Sequence, residues 1–564
     1  MELTENLLEN MHISRPDHLL IVAAFCRKIG LVETVNRVVP SNMEVAIGTI
    51  VQAMVLDTLS GRSPLYRLED FFKHQDTELL LGRELTGTAL NDTAVGRAMD
   101  MIFDAGAQKL FSEVAFQAAS LIPLDMSYVH FDTTSVNVWG DYDICNPDGD
   151  NLNITYGHSK DKRPDLKQFL IKMLCVGRNI PILGGCEDGN KSDKPINNDV
   201  LSRISKNMAQ FGLSPGAFIY IADSAMVTED NLKEIGDNLF VTRLPFTYAE
   251  TNRVVSEAVA HGDWRHIGAL NETLSTDKRP SALYSITEKT VSLYGLEYRA
   301  IVVYSSAHDR RRLKRIDRQI RKSENMLDKL IAKQSKQEYY CRADAQAAAS
   351  NLSKNDTELH RIDVSISEKN RYKRGRPPAD GTRKVDSVRY ILDIKTVEKT
   401  EQIQRIKEES GCFVLLSNVE SEGETAKTGE ELLRAYKEQN GIERNFSFLK
   451  DPLIVNDLFL KKPGRIETLG AIILIALLVW NLIEHVLRQY VIIHDVNLPG
   501  WDNKKTRRPT SFMMSTKFMG IQIIRIGCAR RLARPLSDVQ FMYLKAMGLT
   551  EQSLLMPLSM PRPG

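Results

Sequence analysis

The segment YKEQNGIERNFSFLK, residues 436–450, carries the most information about how this chain of 564 residues folds. Successive residues of a helix turn by about 100°, so Tyr436, Glu443 and Lys450, spaced by seven, drift by only about 20° per step. Gln439 falls on the same face, three residues after Tyr436. The spacing predicts one helix with an aromatic hydroxyl, an amide, a carboxylate and an ammonium along a partly apolar stripe. A half-buried carboxylate needs a cation or a metal, and for Glu443 alone a salt bridge is the simpler interpretation.

Two further carboxylates follow segments that resemble strands. Residues 128–131 are aromatic and β-branched, which predicts a short strand that Asp132 ends. Residues 218–222 form a continuous apolar run, typical of a strand buried on both faces, and Asp223 comes directly after it. An acid at the end of a buried strand, before a helix, is where open α/β sheets form their sites. Three acids, two at strand ends and Glu443 on a later helix, suit two Mg²⁺ ions, with Mn²⁺ as a substitute, roughly 3.5–4 Å apart in a phosphoryl-transfer site.

Together these motifs resemble those of the DDE transposases of bacterial insertion sequences. More narrowly, they resemble the branch whose glutamate helix reads Tyr-x2-Arg-x3-Glu-x6-Lys, because Tyr436, Glu443 and Lys450 stand at that spacing. The resemblance covers about residues 10–490. Four other segments contribute to it: FDTTSV at 131–136, IADSAMVTEDNL at 221–232, GHSKDKRPDLKQ at 157–168 and GCFVLLSN at 411–418.

Gln439 departs from this pattern, because it occupies the position of the arginine in that branch. A neutral amide can hydrogen-bond to a phosphate but cannot neutralise its charge. Arg444 is close in sequence, yet on a regular helix it points about 100° away from Glu443. The role of the missing arginine therefore stays open at this point.

The resemblance implies a Mg²⁺-dependent transposase that cuts DNA at the terminal inverted repeats of its element and joins the ends to target DNA. Asp132 and Asp223 would hold the metal ions, and Glu443 would complete the site. Lys450 would contact phosphate with Tyr436 beside it, and a homodimer on paired DNA ends is implied. Two alternatives remain: a metal-dependent nuclease of the same fold that cuts without joining, and a transposase-derived DNA-binding protein with an inactive site.

Several basic residues are candidates for contacts with DNA. Lys160 and Arg163 follow the first acid closely and would reach phosphate, although ordinary surface residues would look the same. Residues 501–535 contain nine Lys or Arg against one acid, and residues 310–333 contain ten against three. Such stretches neutralise phosphates in some proteins and form solvated helix faces in others.

The composition is that of an ordinary soluble protein, with 43% hydrophobic residues, 26% charged residues and a net charge of +2. The chain has no phosphate-loop motif, which argues against a nucleotide cofactor, and no basic, apolar leader at its start. Its seven scattered cysteines fit a reducing compartment. The most apolar stretch, residues 468–483, is short for a membrane span and predicts a buried helix. A bacterial cytoplasmic location at the nucleoid, without a membrane, is expected.

The predicted fold class is α/β, an RNase H-like catalytic core interrupted by a β-containing insertion, with a helical N-terminal domain. Within the core, a hairpin turning at residues 177–179 precedes alternating helices and strands. The expected parts are an N-terminal helical domain that is a candidate for binding DNA ends (1–120), the first part of the core (121–245), the insertion with strands and a basic helix (246–410), the second part of the core with the glutamate helix (411–495) and a basic C-terminal region (496–564).

Overall fold

The computed structural model describes residues 11–61, 67–139, 142, 152–270, 280–372, 374, 383–423, 425–451, 460 and 462–556. Helices and strands are mixed along the chain, which confirms the α/β class. The chain divides into two compact units: the first is Met1–Thr242 with Ala435–Gly564, and the second is Arg243–Arg434.

The α-helices of the described residues are α1 Leu19–Lys28, α2 Leu31–Val38, α3 Ile47–Leu59, α4 Leu68–Lys73, α5 Thr77–Leu81, α6 Asp92–Ala105, α7 Ala107–Leu121, α8 Asp193–Ala209, α9 Glu229–Glu234, α10 Ala249–His261, α11 Ser306–Gln334, α12 Arg342–Ser353, α13 Thr400–Glu409, α14 Gly429–Glu438, α15 Asn440–Leu449, α16 Pro463–Ile493, α17 Ser511–Phe518, α18 Asp538–Ala546 and α19 Glu551–Leu555. Short 3-10 turns lie at Gly87–Leu90, Ser224–Met226 and Trp501–Asn503.

The strands are β1 Met11–Ser14, β2 Tyr128–Val138, β3 Lys167–Val176, β4 Ile180–Glu187, β5 Ile219–Ile221, β6 Leu239–Leu244, β7 Arg265–Ala269, β8 Leu283–Leu293, β9 Leu296–Ser305, β10 Glu338–Tyr339, β11 His360–Tyr372, β12 Val385–Glu398, β13 Cys412–Ser417, β14 Leu498–Pro499, β15 Lys505–Thr506, β16 Ile523–Ile526 and β17 Ala529–Leu532.

The first unit contains strands in the order β4-β3-β2-β5-β6. The pairs β2–β3 and β3–β4 are antiparallel, whereas β2–β5 and β5–β6 are parallel. The predicted hairpin is confirmed, because β3 ends at Val176 and β4 begins at Ile180. Helix α8 connects β4 to β5, and α9 connects β5 to β6, so antiparallel pairing gives way to alternating helices and strands.

The prediction that Asp132 ends its strand is wrong. Strand β2 runs on to Val138, and residues 133–135 are buried within it. Threonine and valine fit a pleated, half-buried surface, which explains the longer strand. On the other side of β2, however, pairing with β5 stops at His130, opposite Ile221. Asp132 therefore lies just past the end of the parallel pairing, although its own strand continues.

Helix α16 forms the centre of the first unit. The predicted buried helix at residues 468–483 is confirmed, because nearly all of that stretch is inaccessible to solvent. The helix packs on α7 and β4, and Arg465 holds it to α6 through two 2.7 Å hydrogen bonds to Asp100. Within the described ranges, α16 alone is long and apolar enough to cross a membrane, and 94% of its most apolar window is buried. Such burial is typical of the core helix of a soluble protein.

The single helix predicted for residues 436–450 is also wrong, because α14 ends at Glu438 and α15 begins at Asn440. At the junction Gln439 and Ile442 form hydrogen bonds to the third residue back, as in a tighter 3-10 turn. Gly441 explains the break. A Cβ atom at that position would overlap the carbonyl group of Arg178, so the first turn of α15 lies directly against the β3–β4 turn.

Three buried or half-buried asparagines fix α15 in place; we call Asn179, Asn445 and Asn481 the asparagine cluster. The side chains of Asn445 and Asn481 each donate to the backbone carbonyl of Asn179 at 2.7 Å. Asn481 also donates to the side-chain oxygen of Asn445 at 3.0 Å. The cluster therefore joins α15, α16 and the β3–β4 turn through polar groups that water does not satisfy.

The N-terminal helices and the C-terminal region pack together. Strand β1 pairs with β16 in a small sheet, and Asn91 caps α6 as its sequence predicts. Arg530 is almost fully buried and donates to both Asp76 and Glu78, with distances of 2.7 Å to Asp76 and 2.6 Å to Glu78. Part of the basic C-terminal charge is thus used in structural ion pairs.

The second unit has two sheets. One contains strands in the order β13-β9-β8-β7, all antiparallel, and the other has the order β10-β12-β11. The predicted basic helix is α11, of 29 residues, and two of its apolar residues, Ile316 and Leu327, are buried. Helix α12 covers one side of the β11–β12 hairpin around Leu392.

Substituting Asn445→Ala should lower the free energy of unfolding by about 1–3 kcal/mol, because it removes buried hydrogen bonds and leaves part of Asn481 unpaired. Urea denaturation monitored by circular dichroism measures this change. Ser447→Ala, on the exposed side of α15, is the matched control and should change stability by less than about 0.5 kcal/mol. Equal effects of the two substitutions would contradict a structural role for the asparagine cluster.

Candidate active site

Asp132 and Asp223 lie side by side just past the point where the parallel pairing of β2 with β5 ends. In the pairing of β2 with β5, His130 is opposite Ile221, and each aspartate follows two residues later. Neighbouring strands are about 4.8 Å apart, so the two carboxylates share one edge of the sheet. The Asp223 side chain accepts from the backbone amide of Ala225 at 3.0 Å, at the start of a 3-10 turn.

Lys160 and Asp193 complete this acidic group; we call Asp132, Asp223, Asp193 and Lys160 the acid site. The Lys160 ammonium lies 3.7 Å from an Asp132 oxygen and 3.5 Å from an Asp193 oxygen. It also donates to the carbonyl and the hydroxyl of Thr133, both at 2.7 Å. The Thr133 hydroxyl in turn donates to Asp193, in the first turn of α8. Lys160 therefore bridges the carboxylates of Asp132 and Asp193 as an internal cation.

Ionisation of the two aspartates that follow the parallel pairing, Asp132 and Asp223, is less favourable here than in water. Burial raises the pKa of Asp132 to about 6, and the neighbouring Asp223 and Asp193 add to the rise against the opposing effect of Lys160. Burial also raises the pKa of Asp223, again with a contribution from Asp193. Unpaired negative charge is therefore concentrated here, and Lys160 compensates only part of it.

Helix α15 lies over the face of the sheet from which Asp132 projects. Opposed residues of antiparallel strands share a face, and Met173 is opposite Asp132. The Asn445 amide lies 3.5 Å from both the Met173 sulfur and the Cys175 sulfur. Glu443, two residues before Asn445, is exposed, and its carboxylate has no hydrogen bond or ion pair to any residue that the structure describes.

The acid site fits a metal ion in the chemistry of its donor atoms. Carboxylate oxygens are the donors that Mg²⁺ and Mn²⁺ prefer, and a dication would relieve the repulsion between Asp132 and Asp223. In the part of the chain that the structure describes, no three His, Cys, Asp or Glu side chains are grouped closely enough to hold an ion. Residues Asp132 and Asp223 would hold it, and the exposed Glu443 side chain would have to turn towards them.

Lys450 lies at the end of α15 and is already paired. Its ammonium lies 2.6 Å from Asp161, which also accepts from Asn137 of β2 at 3.2 Å. Asp161 is the neighbour of Lys160, so the segment between β2 and β3 brings both lysines to the same side of the first unit. Binding of phosphate by Lys450 would require this ion pair to open or to share its proton donors.

The remaining predicted residues are dispersed. Arg163 pairs with Asp165 at 2.7 Å and stacks over Trp139 at 5.2 Å, on the surface. Tyr436 belongs to α14, and Gln439 lies at the junction with α15, partly exposed. Because the helix is interrupted between them, Tyr436 and Glu443 do not lie on one continuous helical stripe.

Arg444 belongs to a group of four arginines, with Arg178, Arg488 and Arg508. Burial lowers the pKa of Arg488, and the charges of Arg444, Arg178 and Arg508 lower it further. Arg178 pairs with Glu438 at 3.1 Å, and Arg488 is held by Glu484 and by the carbonyl of Pro509. Arg444 is exposed and has no hydrogen bond or ion pair among the described residues. A free guanidinium thus lies next to Glu443 in a positively charged setting.

Sequence analysis missed Asp193 and Arg178. Asp193 stands in the segment KSDKP, whose only local signal is an acid at the start of a helix that follows a hairpin. Its contact with Thr133 joins residues 60 positions apart. Arg178 lies in a tight turn with a φ of 81°, and nothing in its local sequence connects it to α15.

The N-terminal part of the chain matches a family profile. A family profile described as "Domain of unknown function (DUF4277)" matches residues 11–116, which lie within the helical N-terminal part of the first unit. A comparison with curated proteins gave no match. The profile covers neither the acid site nor α15.

In metal-free buffer, the Asp132 carboxylate should destabilise the fold above neutral pH. Its pKa in the folded protein is about 6, whereas an unfolded chain has ~3.9. The protonated carboxyl group therefore contributes its full share to the free energy of unfolding below the pKa of the unfolded chain. This contribution is lost as the pH rises through the folded pKa of about 6. We expect Asp132→Asn to raise the free energy of unfolding by about 2–3 kcal/mol near pH ~8 and by almost nothing near pH ~4.

Urea denaturation of both proteins in EDTA at the two pH values measures this difference. Asp237→Asn is the control, because Asp237 is exposed and its substitution removes the same charge from the surface. A gain from Asp132→Asn that is the same at both pH values would contradict the raised pKa.

Proposed function

We propose that this protein is a DDE transposase of a bacterial insertion sequence, which cleaves DNA at the ends of its element and joins them to target DNA with divalent metal ions. The observation that carries the proposal is the placement of Asp132 and Asp223. They are largely buried and adjacent, just past the parallel pairing of β2 with β5, on the face of the sheet that the helix bearing Glu443 covers. Buried carboxyl groups with raised pKa values are concentrated at functional sites.

The strand arrangement supports the same proposal. Three antiparallel strands followed by two strands parallel to the first, in the order β4-β3-β2-β5-β6, correspond to an RNase H-like core. In such a core the first strand, the fourth strand and a later helix each bring one acid to a common point. In this proposal those elements would be β2, β5 and α15, and the acids would be Asp132, Asp223 and Glu443.

In this proposal, Asp132 and Asp223 bind the metal ions through hard carboxylate oxygens, and Glu443 turns from solvent to complete the set. The bound metal ions would lower the pKa of the attacking water and neutralise charge on the leaving oxygen. Lys160, which lies 3.7 Å from Asp132 and 3.5 Å from Asp193, would turn to a phosphate oxygen of the DNA once these carboxylates no longer need it as their cation. Lys450 and Arg444 hold the phosphates on either side of Glu443.

The natural substrate would be DNA with terminal inverted repeats, and the second substrate would be target DNA. Two ends must be processed together, so the active form would be a homodimer on paired ends. The protein would act at the bacterial nucleoid in the cytoplasm. It would need no nucleotide cofactor, because hydrolysis of the phosphodiester at the element end is favourable by itself and the joining step exchanges one phosphodiester bond for another.

Duplexes that contain the genomic sequences on both sides of the gene, incubated with Mg²⁺ or Mn²⁺ and a supercoiled plasmid, test the proposal. Wild-type protein should cleave at a short inverted repeat and insert the released end into the plasmid. Asp132→Asn, Asp223→Asn and Glu443→Gln should each lower the cleavage rate by about 10³-fold, since each removes a metal ligand worth several kcal/mol. Asp237→Asn and Glu234→Gln, which remove exposed acids, are matched controls and should leave the rate unchanged.

Each alternative has its own result in this assay. Cleavage without insertion would identify a nuclease of the same fold. Binding without cleavage would identify a transposase-derived DNA-binding protein, an outcome that the exposure of Glu443 and the amide at Gln439 would then explain. Near wild-type cleavage by any one of the three variants would remove that residue from the metal site.

A further inference from the structure

The β11–β12 hairpin extends beyond the part of the second unit that packs against it. Apolar side chains as far as Ile366 and Tyr390 contact the cluster of Ala345, Leu352 and Leu392. Past that point lies a two-stranded segment, residues 367–372 and 385–389, which we call the distal ribbon. Residues 368–372 are all exposed, and strand β10 pairs with β12 only at Tyr390 and Ile391.

The two faces of the distal ribbon differ in character. Lys369 is directly opposite Arg389, and Arg371 is opposite Ser387, so three cations lie on one face. Like charges placed opposite each other destabilise a sheet. The protein compensates with a single acid, Glu338, which pairs with Lys369 at 3.0 Å and Arg371 at 2.7 Å. Arg389 also stacks over the Tyr340 ring, 3.4 Å from its centroid, so three cations against one acid leave this face with a net positive charge.

The opposite face presents apolar and amide groups and one exposed acid, Glu368, which is opposite Tyr390. Asn370 is opposite Val388, and Tyr372 is opposite Val385. Tyr372, Val385 and Val388 are 49%, 46% and 36% exposed. Three more exposed cations, Arg374, Arg383 and Lys384, stand at the far end of the described strands. An isolated two-stranded ribbon is at best marginally stable in water, so exposed apolar groups on it point to a binding partner.

We infer that the distal ribbon enters the major groove of duplex DNA; this inference rests on the proposed function. The major groove is about 12 Å wide and admits a two-stranded β-ribbon, whereas the minor groove, about 6 Å wide, does not. Four residue steps from Glu368 to Tyr372 span about 14 Å, which exceeds the groove depth of about 8.5 Å.

The chemistry of the ribbon fits that groove. Phosphates line both rims of the groove and would attract the six cations of the distal ribbon and its end: Lys369, Arg371, Arg374, Arg383, Lys384 and Arg389. The described residues of the same segment include two acids, Glu368 and Asp386. Base edges offer hydrogen-bond partners to Asn370, and thymine methyl groups offer apolar contacts to Tyr372 and Val388.

A duplex whose cytosines carry glucosylated 5-hydroxymethyl groups tests the inference, because the sugar fills the major groove and leaves the phosphate charge and the minor groove unchanged. Fluorescence anisotropy with the full-length protein compares this duplex with the unmodified one of the same sequence. We expect wild-type protein to bind the glucosylated duplex at least about tenfold more weakly, because the loss of one good base contact weakens binding by about that factor.

The variant Arg374→Gln/Arg383→Gln/Lys384→Gln should bind both duplexes more weakly and show less discrimination between them. Its slope of log affinity against log salt should fall by up to about 2.7, for three lost phosphate contacts. The control Lys109→Gln/Lys206→Gln/Lys545→Gln removes the same charge from exposed positions elsewhere and should discriminate as the wild type does.

Equal binding of the two duplexes by the wild type would overturn the inference and leave the proposed function standing. The same would follow if the control variant lost discrimination to the same extent as the ribbon variant. Failure of the wild type to bind either duplex would overturn both the inference and the proposed function.

Discussion

Two carboxylates, Asp132 and Asp223, are held side by side where the parallel pairing of β2 with β5 ends. The candidate site depends on this placement. Asp132 and Asp223 cannot move apart, because β2 and β5 are paired up to the residues just before them. Burial is the main reason that the pKa of both groups is raised, and the neighbouring carboxylates Asp223 and Asp193 raise the pKa of Asp132 further. Lys160 offsets part of this rise in pKa from a segment between β2 and β3, anchored on Thr133 rather than on the carboxylates alone. Such an arrangement favours binding of a stronger cation.

The position of α15 relative to these acids depends on packing and not on helix propensity. The asparagine cluster ties the helix to the β3–β4 turn and to α16. Gly441 permits the close approach to the Arg178 carbonyl that ends α14 and starts a new helix. As a result Glu443 and Arg444 stand in the first turns of a separate helix whose buried side, at Asn445, faces the sheet. The charged residues are left on its exposed side.

The features that the sequence predicted correctly are those with a local cause. The hairpin turn at 177–179 and the buried helix at 468–483 each follow from turn chemistry or hydrophobicity within a few residues. The α/β class follows from the order of these elements. The joint presence of Asp132 and Asp223 at one sheet edge was expected from the apolar runs before them.

The wrong predictions concern features set by distant contacts. The residue spacing predicted a continuous helix from 436 to 450. Spacing alone cannot show that the carbonyl group of Arg178, 263 residues earlier in the chain, lies against Gly441. The length of β2 beyond Asp132 depends on pairing with β3. Asp193 and Lys160 meet through Thr133, a contact that no local motif encodes. These are tertiary effects, and they decide the details of the candidate site more than its existence.

The central claim is that Asp132, Asp223 and Glu443 act as one metal site. Anomalous diffraction from crystals of the protein bound to DNA and Mn²⁺ tests it most directly, because it locates the ions without reference to activity. The account predicts two Mn²⁺ peaks about 3.5–4 Å apart, with Asp132 between them and Asp223 and Glu443 each bound to one. Peaks that lie away from Asp132 and Asp223, or a Glu443 side chain that remains in solvent with both ions present, would contradict it.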